Sequence, residues 1–344
     1  MRKHSVACII AIGLPVLLIV SLAANIVCPC FVSAESDTTF SVIWITDTQY
    51  LSASHPTYYD SLCRWIVANV QTYNIKMVIH TGDIVDTEGN QTQWLNANQS
   101  MGILLSSNVP YCWDAGNHDY NSTCWIGYQY VAFSPHAMQN QPYWVGDEFD
   151  GMNTAVRFSV NGWDCLIINL AYQANNTALE WANNLLNSNP QSHVIVATHE
   201  YLSPQDTYDS WALNFKRTVL DTHANVFLTL NGHFHPTTGN RTRVGDRDEL
   251  LFNQQDAYGQ LGAASARILT FDTEKGQISV QTYVLYANEF LQDPNNNFVL
   301  QTKFRNDSAN QSVPEFPKPP TTAIVLLLAI PGLAIIITRK IKRN

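Results

Sequence analysis

Residues 40–49 read Phe40-Ser-Val-Ile-Trp-Ile-Thr46-Asp47-Thr-Gln49. Seven residues rich in β-branched and aromatic side chains, with no polar alternation, predict a strand buried on both faces. The run stops on a carboxylate. The same device recurs twice. Lys76-Met-Val-Ile-His80 predicts a second strand and leads to Gly82-Asp83. Val109 to Trp113 predicts a third and leads to Gly116-Asn-His-Asp119. Between them, Tyr58 to Tyr73 and Gln91 to Leu105 carry apolar residues at helical spacing. Strand–helix–strand–helix–strand is the pattern of parallel strands joined by helical crossovers.

Further along, Thr154–Val160 and Asp164–Leu170 predict a hairpin closed by Asn161-Gly162, a strong two-residue turn signal. A helix is expected over Ala178–Asn187. A strand over His193–Thr198 then ends on His199. After a helix over about Trp211–Thr222, the strand Asn225–Leu230 ends on Gly232-His233-Phe-His235. The last strands fall near Glu249–Phe252, Ala266–Asp272 and Gln277–Val284. Asp47, Asp83, Asn117, His199 and His233 thus each lie just past the carboxyl end of a strand, where open α/β sheets bind ligands.

Singly, these residues have plain explanations. Aspartate after a strand caps helices, Gly-Asp makes turns, and His80 reads as a packed strand histidine. Two histidines two apart reach one site only if the backbone bends tightly, which Gly232 permits. Five such segments in one order outweigh the plain explanations. Mixed imidazole and carboxylate donors suit Zn, Fe or Mn.

The series Asp47-Thr-Gln49, Gly82-Asp83, Gly116-Asn-His-Asp119, His199 and Gly232-His-Phe-His235 resembles the calcineurin-like metallophosphoesterase superfamily over residues 40–285. The resemblance implies an α/β fold, with two packed mixed β-sheets flanked by helices in four layers, α/β/β/α. It also implies two divalent or mixed-valence metal ions (Mn, Fe or Zn). Asp83 would bridge them. Asp47, Gln49 and His235 would complete one site; Asn117, His199 and His233 would complete the other. A metal-bridging hydroxide would attack a phosphate mono- or diester. His118 would serve as leaving-group acid or as a donor to the phosphate, with Asp119 fixing its orientation. Asn117 coordinates through a neutral oxygen and so preserves the positive excess that attracts phosphate. The family usually has His where this chain has Gln49. That change implies a first site that is looser, of lower affinity, or selective for a harder metal such as Mn. The alternative is a surface binding or structural protein with a catalytically degenerate metal site.

Composition narrows the partners. Of 344 residues, 28 are acidic and 19 are Lys or Arg. All 28 acids but only 12 of the bases fall in residues 35–317, a formal charge of −16 there. Such a surface repels a polyanion, so no long nucleic acid is expected; a small phosphorylated substrate is. The aromatics of Tyr120–Asp150 either pack that loop against the domain, the favoured reading, or form a substrate wall; Gln254–Tyr258 is a second candidate wall. His136 and Arg157 are candidate phosphate contacts.

The two ends predict the location. Arg2-Lys3 precedes an apolar run, Val6 to Val27, and then Val32-Ser-Ala34, the order of a secretory signal peptide over 1–34, with an uncleaved anchor helix as the alternative. A metallophosphoesterase domain is expected over 35–287 and an Asn/Pro-rich linker over 288–320. The apolar segment 321–338 is about 27 Å long as a helix, enough for a bilayer core. The basic tail 339–344 would stay inside. The expected protein is therefore held at the cell surface by its C-terminal helix, with the ectodomain outside. The tail also resembles archaeal surface-protein sorting tails. Cys63, Cys112, Cys124 and Cys165 allow three pairings, with Cys112–Cys124 preferred for their proximity, and free thiols are the equal alternative.

Overall fold

The computed structural model describes residues 38–121, 124–235 and 239–304, with the side chain omitted at Cys124. The leader, the apolar segment 321–338 and the basic tail lie outside the described residues. Among the described residues no helix is long and apolar enough to cross a membrane.

The opening run is β1 (Thr39–Ile45). It leads through α1 (Gln49–Ser54) and α2 (Pro56–Ala68) to β2 (Ile75–Thr81), then through α3 (Gln91–Ser106) to β3 (Tyr111–Asp114). These three strands are parallel, as the crossovers require. A small hairpin, β4 (Tyr120–Asn121) and β5 (Cys124–Trp125), and a short α4 (Pro135–Met138) follow. The second sheet then begins with β6 (Trp144–Glu148), β7 (Asn153–Val160) and β8 (Trp163–Leu170). Helix α5 (Asn176–Ser188) carries the chain to β9 (His193–Thr198), and α6 (Ser210–Phe215) to β10 (Val226–Asn231). β11 (Asn240–Val244) and β12 (Arg247–Leu251) complete this sheet. The chain returns to the first sheet with β13 (Ser265–Asp272), β14 (Gln277–Val284), β15 (Glu289–Phe290) and β16 (Asn297–Gln301).

Both sheets are mixed. In the first, the order is β15-β14-β13-β1-β2-β3, with β16 also on β14; in the second, it is β11-β12-β10-β9-β8-β7-β6. β8, β9, β10 and β12 run parallel, and the hairpins at either edge are antiparallel. The β7–β8 turn has Asn161 at φ 49° and Gly162 at φ 85°, the double left-handed geometry that Asn-Gly favours.

Alternation along β1 divides the core. Phe40, Val42 and Trp44 face the second sheet and meet Ile167, Ile195, Leu228 and Leu230 there. Ile43 and Ile45 face the helices and pack with Leu62, Ile66, Trp94 and Leu104. The outer face of the second sheet buries Leu166, Ile168 and Val196 against Ala182, Leu186 and Phe215. Each large apolar side chain among these stabilises the fold by about 1.5–3 kcal/mol through burial alone. The four layers α/β/β/α follow directly.

Three expectations change. The sheet does not end at residue 287, because Asn297–Gln301 pairs antiparallel with Gln277–Gln281. The single helix expected over Trp211–Thr222 is α6 followed by a π-helical turn, Lys216–Leu220. Finally, Cys112 is a buried free thiol, as are Cys63 and Cys165. Its sulfur lies between the sheets, 3.7 Å from Asn169 Oδ1, so the Cys112–Cys124 bridge is not formed.

Candidate metal centre

The carboxyl ends of β1, β2, β3, β9 and β10 converge, and sharp turns carry the side chains there. Asp47 (φ 51°), Asp83 (φ 52°) and His233 (φ 68°) all adopt left-handed backbone, a costly conformation for non-glycine residues that concentrates at functional sites. Gly82 precedes one of these turns at φ 76°. A Cβ on it would stand 2.6 Å from Gly116 N and 2.8 Å from His199 Nδ1. The expected tight bend at Gly232 is placed one residue later, at His233. What Gly232 provides is room, since a Cβ there would collide with Thr46 and Asp47.

One group of donors is tightly drawn together. Ligand atoms of Asp47, Asp83 and His199 lie within 4.8 Å of one another. His199 Nε2 is 3.2 Å from Asp83 Oδ1 and 3.1 Å from Asn117 Oδ1. His233 Nδ1 is 2.9 Å from the same Asn117 oxygen and 3.3 Å from His199 Nε2. His199 Nδ1 donates to the Thr81 carbonyl at 2.8 Å, which leaves Nε2 facing two oxygens. Such a backbone partner on the far ring nitrogen is how proteins orient metal-ligating histidines.

The electrostatics suit a cation. Burial pushes the Asp47 carboxyl up to about 7, against the pull of His199. Burial also works against the Asp83 charge, but His199 outweighs it and holds that carboxyl below its usual range. Conversely, burial disfavours charge on His199, yet Asp83 and Asp47 lift its ring to about 10. Burial and the neighbouring His199 lower His233 to about 4. Asp47 Oδ1 and Gln49 Oε1 are buried with no hydrogen-bond partner. A buried acceptor without a partner costs about 1–3 kcal/mol. A cluster of oxygens and imidazole lone pairs with two orphaned acceptors is a donor set that a divalent cation satisfies. Asp47, Asp83, Asn117, His199 and His233 would hold it.

Other expected members are placed differently. Gln49 reaches the site, but its amide Nε2 donates to Asp83 Oδ2 at 3.2 Å. His235 turns away. Its Nδ1 lies 2.6 Å from Asp256 Oδ2, its Nε2 contacts the Gln255 amide, and the side chain is 45% exposed. His118 is half-exposed, and its Nδ1 donates to the Asp86 carbonyl at 2.8 Å. Burial lowers its basicity, but Asp83 and the Asp86 carbonyl raise it above the ordinary imidazole value.

Asp119 does not orient His118. Its carboxylate accepts from Ile84 N (2.8 Å), Val85 N (2.9 Å) and Gly116 N (2.7 Å), stapling the β2 and β3 loops together. Arg157 and His136 do not serve the site: Arg157 bonds Asn189 and pairs with Asp164, and His136 bonds Gln139. His80 is a packed histidine, bonded to Thr48 Oγ1 at 2.9 Å and lowered to about 3 by burial. Sequence reasoning missed Tyr172, whose ring centre lies 5.3 Å from that of His233, and Glu200, whose Oε1 lies 3.9 Å from His233 Nε2. Glu200 follows His199 directly, which was an available signal. The Thr81 and Asp86 carbonyls left none.

The sequence model of the calcineurin-like phosphoesterase family matches residues 40–237. The chain belongs to that family. The matched span runs from β1 to just past His235, and so includes every residue of the centre. Among curated proteins, the chain is similar to the uncharacterized protein YvnB of Bacillus subtilis (strain 168), 29% identical over 265 residues, 73% of this chain. The chain spans about a fifth (20%) of that relative's length. Among solved structures it is similar to GAP50, the anchor in the inner membrane complex of Plasmodium. That likeness has a TM-score of 0.50 at 12% identity, over 78% of this chain and 90% of that one. It is also similar to TT1561 of Thermus thermophilus, with a TM-score of 0.43 at 10% identity, over 74% and 97% of the two chains. The likeness to GAP50 is one of fold alone. Members of the family are generally metal-dependent hydrolases, and the Asp47–Asp83–His199 group is a possible metal site in keeping with that.

Proposed function

We propose that this chain is a metal-dependent phosphoesterase that hydrolyses small phosphate mono- or diesters outside the cell. The observation that carries this reading is the meeting of Asp83, Asn117, His199 and His233 around unsatisfied oxygens of Asp47 and Gln49. Two ions of Mn, Fe or Zn bound there would neutralise phosphate oxygens and acidify a water. The protein's own residues do the positioning. Asp83 and Asn117 stand against the histidines, and the Thr81 carbonyl fixes the His199 ring. Asp119 holds the two loops in register. With His118 Nδ1 engaged by Asp86, Nε2 is the ring atom left to give a proton to the departing alcohol. The basic and apolar residues of 1–34 and 321–344 support export and a C-terminal membrane anchor.

The test is to load the purified chain with Mn, Zn or Fe and to follow hydrolysis of an aryl phosphate and of its bis-ester. Turnover with either, lost in Asp83→Asn, is the expected result. A folded, metal-loaded protein inert toward both would sink the reading. The second reading, a binding protein with a degenerate centre, draws on one observation: His235 is engaged by Asp256 rather than by the other ligands.

A further inference from the structure

Beside the centre lies a cavity of about 450 Å³ enclosed by the β4–β5 hairpin, the β6–β7 turn and the loop before α5. Its lining includes the aromatic residues Trp125, Tyr128 and Phe149 and the acidic residues Glu148 and Asp150. No Lys, Arg or His is among the described residues that line it. Three lining amides each donate to a carboxylate, one of them the cavity's own Glu148. Asn121 donates to Glu88, Asn153 to Glu148 and Gln173 to Glu200. An anionic group entering the cavity would meet Glu148 and Asp150 and no cation among the described lining residues. A plain hydrocarbon would leave two carboxylates facing it. An organic cation meets both needs, because aromatic faces attract ammonium groups and carboxylates neutralise them.

The cavity is not remote from the chemistry. Tyr120 lines it directly after His118-Asp119, and its hydroxyl donates to the Tyr172 carbonyl at 2.6 Å. The Tyr172 ring packs on His233. Gln173, also in the lining, donates to Glu200 at 2.9 Å, and Glu200 faces His233. Three lining residues that are not glycine, Phe149 (φ 56°), Asp150 (φ 52°) and Gln173 (φ 44°), hold left-handed backbone, strain of the kind stored at ligand clamps.

We infer that this cavity receives an ammonium or quaternary ammonium group carried on the alcohol side of a phosphate ester, so that the substrate is a zwitterion whose phosphate sits at the metal centre. The inference rests on the phosphoesterase reading above, and it sets the substrate class. A centre whose donors suit cations, beside an acidic and aromatic cavity with no Lys, Arg or His among its described lining residues, would read both ends of such a molecule.

The test compares two 4-nitrophenyl phosphodiesters of equal shape, one with a choline arm and one with a 3,3-dimethylbutyl arm, on the metal-loaded chain. The choline ester should show kcat/KM at least about tenfold higher, with the difference carried by KM. In the Glu148→Gln/Asp150→Asn double variant the ratio should fall to within about twofold of one. Equal kcat/KM in the unaltered protein, or a preference that survives the double variant, overturns the proposal. Asparagine tolerates left-handed backbone, so Asp150→Asn keeps the turn. Should neither ester turn over, the phosphoesterase reading fails separately, and the cavity is read by ligand-observed NMR with tetramethylammonium. Saturable binding that neopentyl alcohol does not reproduce, weakened in the double variant, supports the cation site. No saturable binding, or equal binding of the neutral alcohol, refutes it.

Discussion

The two halves of the proposed two-ion centre are unequally prepared. On one side, Asn117, His199 and His233 stand within 3.3 Å of a neighbour in the set, and the Thr81 carbonyl fixes the His199 ring. On the other, Asp47 presents an unpaired oxygen, Gln49 turns its amide nitrogen to Asp83, and His235 bonds Asp256 in an exposed position. In the proposed arrangement Asp83 would belong to both. The difference does not follow burial, since Asp47 and Gln49 are buried while Asn117 and His233 are partly exposed; it follows the partners each side chain meets. Ligands rooted in strand ends under the sheets are held by backbone carbonyls and amides. The ligand in the exposed segment after β10 is claimed by whichever surface carboxylate it meets.

This comparison can be broken. Asp83→Asn strikes both halves, so turnover of an aryl phosphate should fall by more than about 100-fold, beyond the usual effect of disturbing a ligand's supporting partner. A smaller loss, measured at saturating metal, would show that Asp83 is not shared. Next, His199→Ala and His235→Ala should separate the halves. In metal titrations the His199 variant should lose affinity by at least about 100-fold and the His235 variant by about tenfold or less. Equal losses would show that His235 binds as firmly as His199 once metal is present. A third, gentler change is Gln49→His, which restores the family's usual donor on the weak side. Tighter retention of the second metal equivalent, by about tenfold against a chelator, is expected. No change would mean that Gln49 does not limit that half.

The smallest effect tests the cost of burial itself. Asp114 ends β3 fully buried, and neither carboxyl oxygen has a partner. Burial raises its pKa well above 3.8, so the folded protein binds a proton that the unfolded chain releases. Stability from this group is therefore intact below about pH 4 and declines as pH rises above the unfolded value. Asp114→Asn should stabilise the metal-free protein at pH 7 by about 1–3 kcal/mol and flatten the fall of Tm with pH. A Tm that drops, or an unchanged pH slope, would show that Asp114 is charged and stabilised in that form by its surroundings.

Much of this was legible in the sequence, for identifiable reasons. β1, β2, β9 and β14 are continuous apolar runs or period-two patterns, and their ends follow from the first polar residue. The family motifs carried the two-sheet architecture, and the structure bears it out. β16 was misread because Asp293-Pro-Asn-Asn-Asn297 leads into it with loop-like composition, while its pairing with β14 is a tertiary fact. Asp119 was misassigned because an aspartate beside a histidine in sequence suggests a pair, whereas its oxygens are occupied by three backbone amides. No residue pattern encodes which carbonyl a histidine will use. Hence Thr81 and Asp86 enter only with coordinates.

The left-handed backbone at Asp47, Asp83 and His233 has a consequence for anyone selecting hardier versions of this protein. Each of these positions carries local strain of about 1–3 kcal/mol, and two of them also bury a carboxyl group. A heat-selected library screened for folding alone should drift toward glycine or asparagine at these positions. Its survivors would tolerate higher temperatures and have no centre left to load.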